Sequence, residues 1–253
     1  MTENQNIGRE RKLRLVGHKG ADLIAPGNTL ESFAAAVAAG ADTIELDVLW
    51  TRDGHPRLDA AKRTPLVVAH DWHDAEGREP LTLEQALAAF ARPPLDRVEI
   101  DLDIKLPGRE EEIVAAVRES GLLARSMIST MELSTLAKLR ELEPGLRRGW
   151  TYPKVTKDWT SKRWAKLPML SALVWMRQRL PGLAARELPK LGVEAMWVYH
   201  PLASRQLAKI ADLAGVELIA WTVDDAARMQ RLVDLGVGGI CTNDPRLFER
   251  VGL

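Results

Sequence analysis

The sequence predicts a single α/β domain, a TIM (β/α)8 barrel with a hairpin-like excursion after its second strand. Two observations carry that expectation. Short apolar strands alternate with helical segments along the chain, the mark of parallel βαβ units, and eight such units can be placed. The 253 residues match the length of about 250 usual for a closed barrel of this kind. The structural alternative is an open doubly wound sheet, but no Gly-x-Gly-x-x-Gly follows the first strand.

Residues 1–12 read as a polar, mobile lead-in, and 13–253 as one domain. Leu13–Gly17 is a short apolar strand that runs into Gly17-His18-Lys19-Gly20, whose glycines let the chain turn and leave His18 at a strand end. Asn28 is expected to cap the next helix, with Glu31 closing a capping box, and Gly40 to stop it. Thr43–Leu49 is the second strand. Alternation puts Glu45 and Asp47 on one face and Ile44, Leu46 and Val48 on the other.

Asp53-Gly54 marks a turn, and 50–71 reads as the excursion, returning through Leu66–Ala69 to His70 and Asp71. Leu83–Phe90 is a helix. Val98–Lys105 is the third strand, with Glu99, Asp101, Asp103 and Lys105 on one face. Helices then fall at Glu110–Glu119, Leu133–Leu142, Ala203–Leu213, Ala226–Leu235 and Pro245–Val251, with a basic helical stretch over 155–191. Strands fall between them at Met127–Thr130, Arg148–Tyr152, Ala195–Tyr199, Glu217–Val223 and Gly239–Thr242.

The formal net charge is zero, which argues against a dedicated nucleic-acid binder. One cysteine, Cys241, leaves no disulfide framework, fits a reducing compartment and reads as a core residue of the eighth strand. No run has signal-peptide or membrane-span length, so a cytoplasmic protein is expected.

In a barrel the chemistry sits at the carboxyl ends of the strands. His18, Glu45, Asp47, Asp103 and Lys105 converge there, with His70 and Asp71 on the excursion and Trp150, Tyr152, Trp221 and Thr222 further round. Neighbouring buried carboxylates repel and are costly to desolvate, and a hard cation between them removes both problems. Carboxylates favour Mg²⁺ or Ca²⁺ over zinc. Lysines suit an anionic ligand such as a phosphate, and two histidines suit acid–base work near neutrality. Asp71 either orients His70 or solvates a turn. Trp221 either packs on the organic part of a ligand or lines the rim. Glu99 and Asp101 are expected as interior groups tied to Lys105 or to backbone, with Asp101 the alternative ligand to Asp103. His55, His73 and His200 read as structural.

The ordered set His18-Lys19-Gly20, Pro26-Gly27-Asn28-Thr29-Leu30-Glu31-Ser32-Phe33 and Gly40 to Val48 resembles the glycerophosphodiester phosphodiesterase family. So do Asp53-Gly54, Val68 to Asp71, Asp103-Ile104-Lys105, Trp221 to Asp224 and Gly239 to Pro245. The resemblance implies a barrel of the phosphodiesterase type and metal-dependent cleavage of glycerophosphodiesters, or of lysophospholipids, to glycerol 3-phosphate or lysophosphatidate and an alcohol. It implies catalytic His18 and His70, metal ligands Glu45, Asp47 and Asp103, and Lys105 as the family's lysine; Lys105, Lys19 and Trp221 are the candidate substrate contacts.

Three positions depart from the family pattern: Lys19 for arginine, Gly27 for glutamate and Asp103 for glutamate. The first two together suggest an ion pair replaced as a unit. The segment between Gly54 and Val67 is longer than usual and is expected to reshape access. Alternatives are a phospholipase-like barrel that releases a cyclic phosphate and a non-catalytic binder of phosphorylated head groups. The basic, tryptophan-bearing stretch 154–190 suggests peripheral contact with the inner face of a membrane, against a plain solvated helix face.

Overall fold

The structure is a computed structural model describing residues 12–50, 64–154 and 166–253. Eight parallel strands close into a barrel: β1 (Arg14–Gly17), β2 (Thr43–Trp50), β4 (Glu99–Ile104), β5 (Ser126–Thr130), β6 (Arg147–Tyr152), β7 (Ala195–Tyr199), β8 (Glu217–Trp221) and β9 (Gly239–Thr242). Pairing of β1 with both β2 and β9 closes the ring. The ninth strand, β3 (Leu66–Val68), runs antiparallel on β2, with Val48 opposite Val68, so the excursion returns along the strand it left.

The helices are α1 (Leu30–Ala38), α2 (Trp72–Gly77), α3 (Leu83–Phe90), α4 (Glu110–Glu119), α5 (Leu133–Leu142), α6 (Lys166–Leu191), α7 (Arg205–Leu213), α8 (Ala226–Leu235) and α9 (Arg246–Arg250). Their caps are local chemistry. Ser204 accepts from the Leu207 N–H at the start of α7, and Asp225 from the Arg228 N–H at the start of α8. α1 is capped one residue later than expected, by Thr29 with Ser32 rather than by Asn28 with Glu31. Asn28 is withdrawn from capping because its side chain is engaged inside the barrel mouth. α2, at six residues, is too short to show a helical period in the sequence.

Strand parity sorts the interior into two compartments. Ile44, Leu46, Ile100, Leu102 and Ile128 face the helix layer and pack against Phe33, Phe90 and Phe248. Each such buried side chain contributes about 2 kcal/mol. The lumen holds a smaller plug of Val16, Met127, Ala195, Trp197, Ile219 and Cys241, with Cys241 where the sequence put it. Beneath the plug, Arg14 bonds Glu217 at 3.0 Å and also pairs with Glu99, which Arg147 reaches at 2.9 Å. Glu99 is therefore tied to arginines at the strands' amino ends, not to Lys105, because it lies too deep.

The same parity corrects the mouth. Trp150 packs in the helix-side core with Tyr152 against it, and Thr151 is the residue of β6 that lines the lumen cavity. Among the described residues no helix is long and apolar enough to cross a membrane. The lead-in up to residue 11, the excursion loop 51–63 with His55, and 155–165 lie outside the described residues.

Candidate active site

The register of β2 on β4 sets Glu45 opposite Asp101 and Asp47 opposite Asp103, two tiers of acids facing the lumen. The longer Glu45 side chain joins the upper tier: ligand oxygens of Glu45, Asp47 and Asp103 lie within 4.8 Å of one another, all buried. Asp101 stays out of this group. Its Oδ2 accepts from Ser129 Oγ at 2.7 Å, so Asp101 is tied to β5 rather than to Lys105 or backbone.

Lys105 extends into the acids. Its Nζ is 2.5 Å from Asp47 Oδ1 and 2.5 Å from Asp103 Oδ2. The electrostatics follow. Burial, with Asp47 next to it, pushes the Glu45 carboxyl well above the usual carboxylate range. Burial acts the same way on Asp47, but Lys105 and the two histidines outweigh it and hold Asp47 well below that range. Burial pulls Lys105 down, yet the surrounding carboxylates raise it well above its ordinary value. Asp101 is pushed well up by burial.

A divalent cation fits this donor set. Three buried carboxylates converge from two adjacent strands, and Asp103 Oδ1 is buried with no hydrogen-bond partner. All-oxygen donors of this kind suit Mg²⁺ or Ca²⁺.

His18 leaves β1 with its N–H on Thr242 O at 2.9 Å. Its Nδ1 is 2.7 Å from Asn243 Oδ1. Asn243 is oriented in turn by Asp224, which accepts its Nδ2–H at 2.7 Å and its backbone N–H at 2.8 Å. The amide oxygen therefore faces the histidine, the proton sits on Nδ1, and the Nε2 lone pair points inward, 4.0 Å from Glu45 Oε2. Burial lowers the His18 pKa, favouring the neutral ring. Neither Asn243 nor Asp224 was singled out from sequence; their place in the closing motif was the available signal.

His70 sits at the end of the excursion, half-exposed, with Nδ1 3.3 Å from Asp71 Oδ2. Asp71 lies beside His70, and its Oδ1 accepts from the Asp74 N–H and caps α2, a role not among the two expected of it. Both histidines line one cavity of about 240 Å³ with Glu45, Asp101, Asp103, Lys105, Trp221 and Thr222. A second, larger cavity of about 580 Å³ continues outward from His70, Lys105 and Trp221 along Leu49, Trp72, Ile104 and Leu106. Lys19 is placed differently. Its backbone N–H donates to Glu45 Oε2 at 2.8 Å, while its Nζ pairs with Asp22 at 2.5 Å and does not line either cavity. Asn28, a capping residue by sequence, holds Asp47 through its side-chain amide instead.

The model of the glycerophosphoryl diester phosphodiesterase family matches residues 18–58 and 78–247. A glycerophosphodiester phosphodiesterase of Caldanaerobacter subterraneus is 26% identical, over 92% of this chain and 95% of that relative. One of Bacillus subtilis is 26% identical, over 97% of this chain and 88% of that relative. Among solved structures, a glycerophosphodiester phosphodiesterase of Parabacteroides distasonis superposes with a TM-score of 0.70 at 19% identity, covering 94% of this chain and 96% of the other. An Oleispira antarctica phosphodiesterase, solved with the product sn-glycerol-3-phosphate, gives 0.65 at 18% identity, covering 94% and 96%. The chain belongs to the glycerophosphoryl diester phosphodiesterase family and is an enzyme of that class.

Proposed function

We propose that the chain cleaves glycerophosphodiesters to glycerol 3-phosphate and an alcohol, with a divalent cation on Glu45, Asp47 and Asp103 and with His18 and His70 as the acid–base pair. The observation that supports this most is the convergence of the three buried acids, both histidines and Lys105 on one mouth. The Oleispira relative, holding glycerol 3-phosphate on the same fold, agrees with that product.

A bound cation supplies positive charge against the phosphoryl oxygens and lowers the pKa of a hydroxyl near it. The side chains do the rest. Neutral His18 takes through Nε2 the proton of the glycerol hydroxyl as its oxygen bonds to phosphorus. Asn243 keeps that ring in the tautomer with Nε2 free. His70, beside the larger cavity, protonates the departing alkoxide as its bond to phosphorus breaks. Water then opens the cyclic phosphate with the two roles reversed. Lys105 holds positive charge beside the phosphate and Trp221 packs on the organic part. Lys19 contributes its backbone N–H, which keeps Glu45 aimed at the mouth.

The test is metal-dependent release of glycerol 3-phosphate from glycerophosphocholine, followed by phosphorus NMR, with His18→Ala and Glu45→Ala as controls. Turnover lost in both variants and on chelation is expected. A cyclic product alone points to the phospholipase-like alternative, and no turnover with Mg²⁺, Ca²⁺ or Mn²⁺ to the binder.

A membrane contact on α6 is proposed from one further observation. Leu170, Val174 and Trp175 are exposed together, with Arg179 stacked over Trp175, a mix suited to an anionic lipid surface. Flotation of the full chain with anionic but not neutral vesicles, weakened by Trp175→Ala, is expected. Equal partition removes the idea.

A further inference from the structure

We propose that Asp101 and Trp197 bind the terminal hydroxyl of the substrate's glycerol unit at the floor of the barrel, restricting turnover to diesters whose sn-1 oxygen is free. This deepens the activity proposed above and rests on it.

Among the described residues, two buried polar atoms on the floor have no hydrogen-bond partner. Asp101 is 1% exposed, and its Oδ2 is satisfied by Ser129 while its Oδ1 has no partner. Trp197 is 3% exposed, and its indole Nε1–H has no partner. Both residues line the 240 Å³ cavity under His18 and Glu45. Buried polar atoms in a native fold are normally satisfied, so an unpaired acceptor and an unpaired donor in one cavity point to a ligand. A hydroxyl answers both, accepting from the indole N–H and donating to the carboxylate.

The indole is there by arrangement of β6. A side chain at Gly149 would meet Trp197 Nε1 at 2.6 Å, so the glycine leaves room for the ring's polar edge. Below, the apolar plug of Val16, Met127, Ala195 and Ile219 ends the cavity.

The two cavities divide the diester. The inner one is the smaller, is lined by His18, Glu45, Asp101 and Ser129, and suits the glycerol unit. The outer one is larger and lined with Leu49, Trp72, Ile104 and Leu106, and suits a variable alcohol. They share His70, Asp103, Lys105 and Trp221, where the phosphate bridges them. An acyl chain on the sn-1 oxygen would have to enter the plug, which sets lysophospholipids aside as substrates.

The experiment compares glycerophosphocholine with the propane-1,2-diol analogue, which keeps the attacking hydroxyl and lacks the terminal one. A site that hydrogen-bonds a substrate hydroxyl strongly rejects the analogue without it. The wild-type kcat/KM is expected to be at least about 100-fold lower on the analogue. Trp197→Phe keeps a ring without the N–H. In Asp101→Asn, Ser129 holds the amide oxygen and an N–H replaces the acceptor. Each variant should lose about 10-fold or more on glycerophosphocholine while changing the analogue's rate by less than about twofold.

A purely structural role would lower both substrates in step, and that result overturns the inference. So does a wild-type ratio near one, a measurement that needs no variant to fold. Turnover of 1-acyl-lysophosphatidylcholine comparable with glycerophosphocholine overturns it as well. These outcomes leave the phosphodiesterase reading standing; absence of turnover on every diester overturns both.

Discussion

Asn28 grips Asp47 at two points: its Nδ2 donates to Asp47 Oδ2 at 2.8 Å, and its Oδ1 accepts the Asp47 backbone N–H at 3.1 Å. The grip turns the other carboxylate oxygen, Oδ1, toward Lys105. It also explains why asparagine stands there, since φ is +59° at this residue and asparagine tolerates that region. Asn28→Ala should cost about 2–4 kcal/mol, from two lost buried bonds plus left-handed strain. Asn28→Gly should cost about 1–2 kcal/mol, from the bonds alone. Urea unfolding of both separates the contributions.

Gly27 lies under the Asp22 carboxylate. The Gly27 N–H donates to Asp22 Oδ1 at 2.8 Å, and a Cβ at Gly27 would meet that oxygen at 2.5 Å. Lys19 pairs with the same aspartate, so the ion pair inferred as lost with arginine and glutamate is supplied here by Lys19 and Asp22 in a single turn. Gly27→Glu should destabilise by about 1–3 kcal/mol through overpacking and like charge. Asp22→Ala should remove most of that penalty, so a double-mutant cycle read by thermal melting should show coupling above about 0.5 kcal/mol.

Arg14 joins Glu217 and Glu99 at the barrel's amino end, below the tiers of acids that face the mouth. Burial works against the guanidinium, but the two glutamates outweigh it and raise its pKa further. Arg14→Met leaves both glutamates short of a partner and should cost about 2–4 kcal/mol. This end of a barrel serves stability rather than chemistry, so kcat/KM at 25 °C should stay within about twofold.

His200 follows β7, where burial and then Arg228 lower its pKa from the usual 6.5 to about 4, against the pull of Asp224. Between those values the unfolded chain binds a proton that the folded chain refuses. Stability from this residue is therefore complete above pH 6.5 and is lost as pH falls toward 4. The ring is partly exposed, so the loss from pH 7.5 to 5 should be about 1 kcal/mol after screening. His200→Gln should flatten that part of the pH dependence in denaturant unfolding.

Periodicity made the barrel legible. The alternation in 43–48 and 98–105 fixes which side chains share a face, and faces of strands are local properties. The pairing of Glu45 and Asp47 with Asp103 followed once two such strands were neighbours. Parity failed at Trp150 and Tyr152, where polar edges suggested the mouth and the strand's phase put both rings on the helix side.

What the sequence determined by itself was the order of elements, the lumen faces of the strands and the types of group at the mouth, since these depend on neighbours within a few residues. Only the tertiary structure decided that Asn243 orients His18 from 225 residues away, that Asn28 serves Asp47 instead of a helix, and that Asp101 and Trp197 are left unpaired on one floor. Those relations depend on register across strands and on the closing of the ring. Only the closed barrel brings such distant positions within hydrogen-bonding distance.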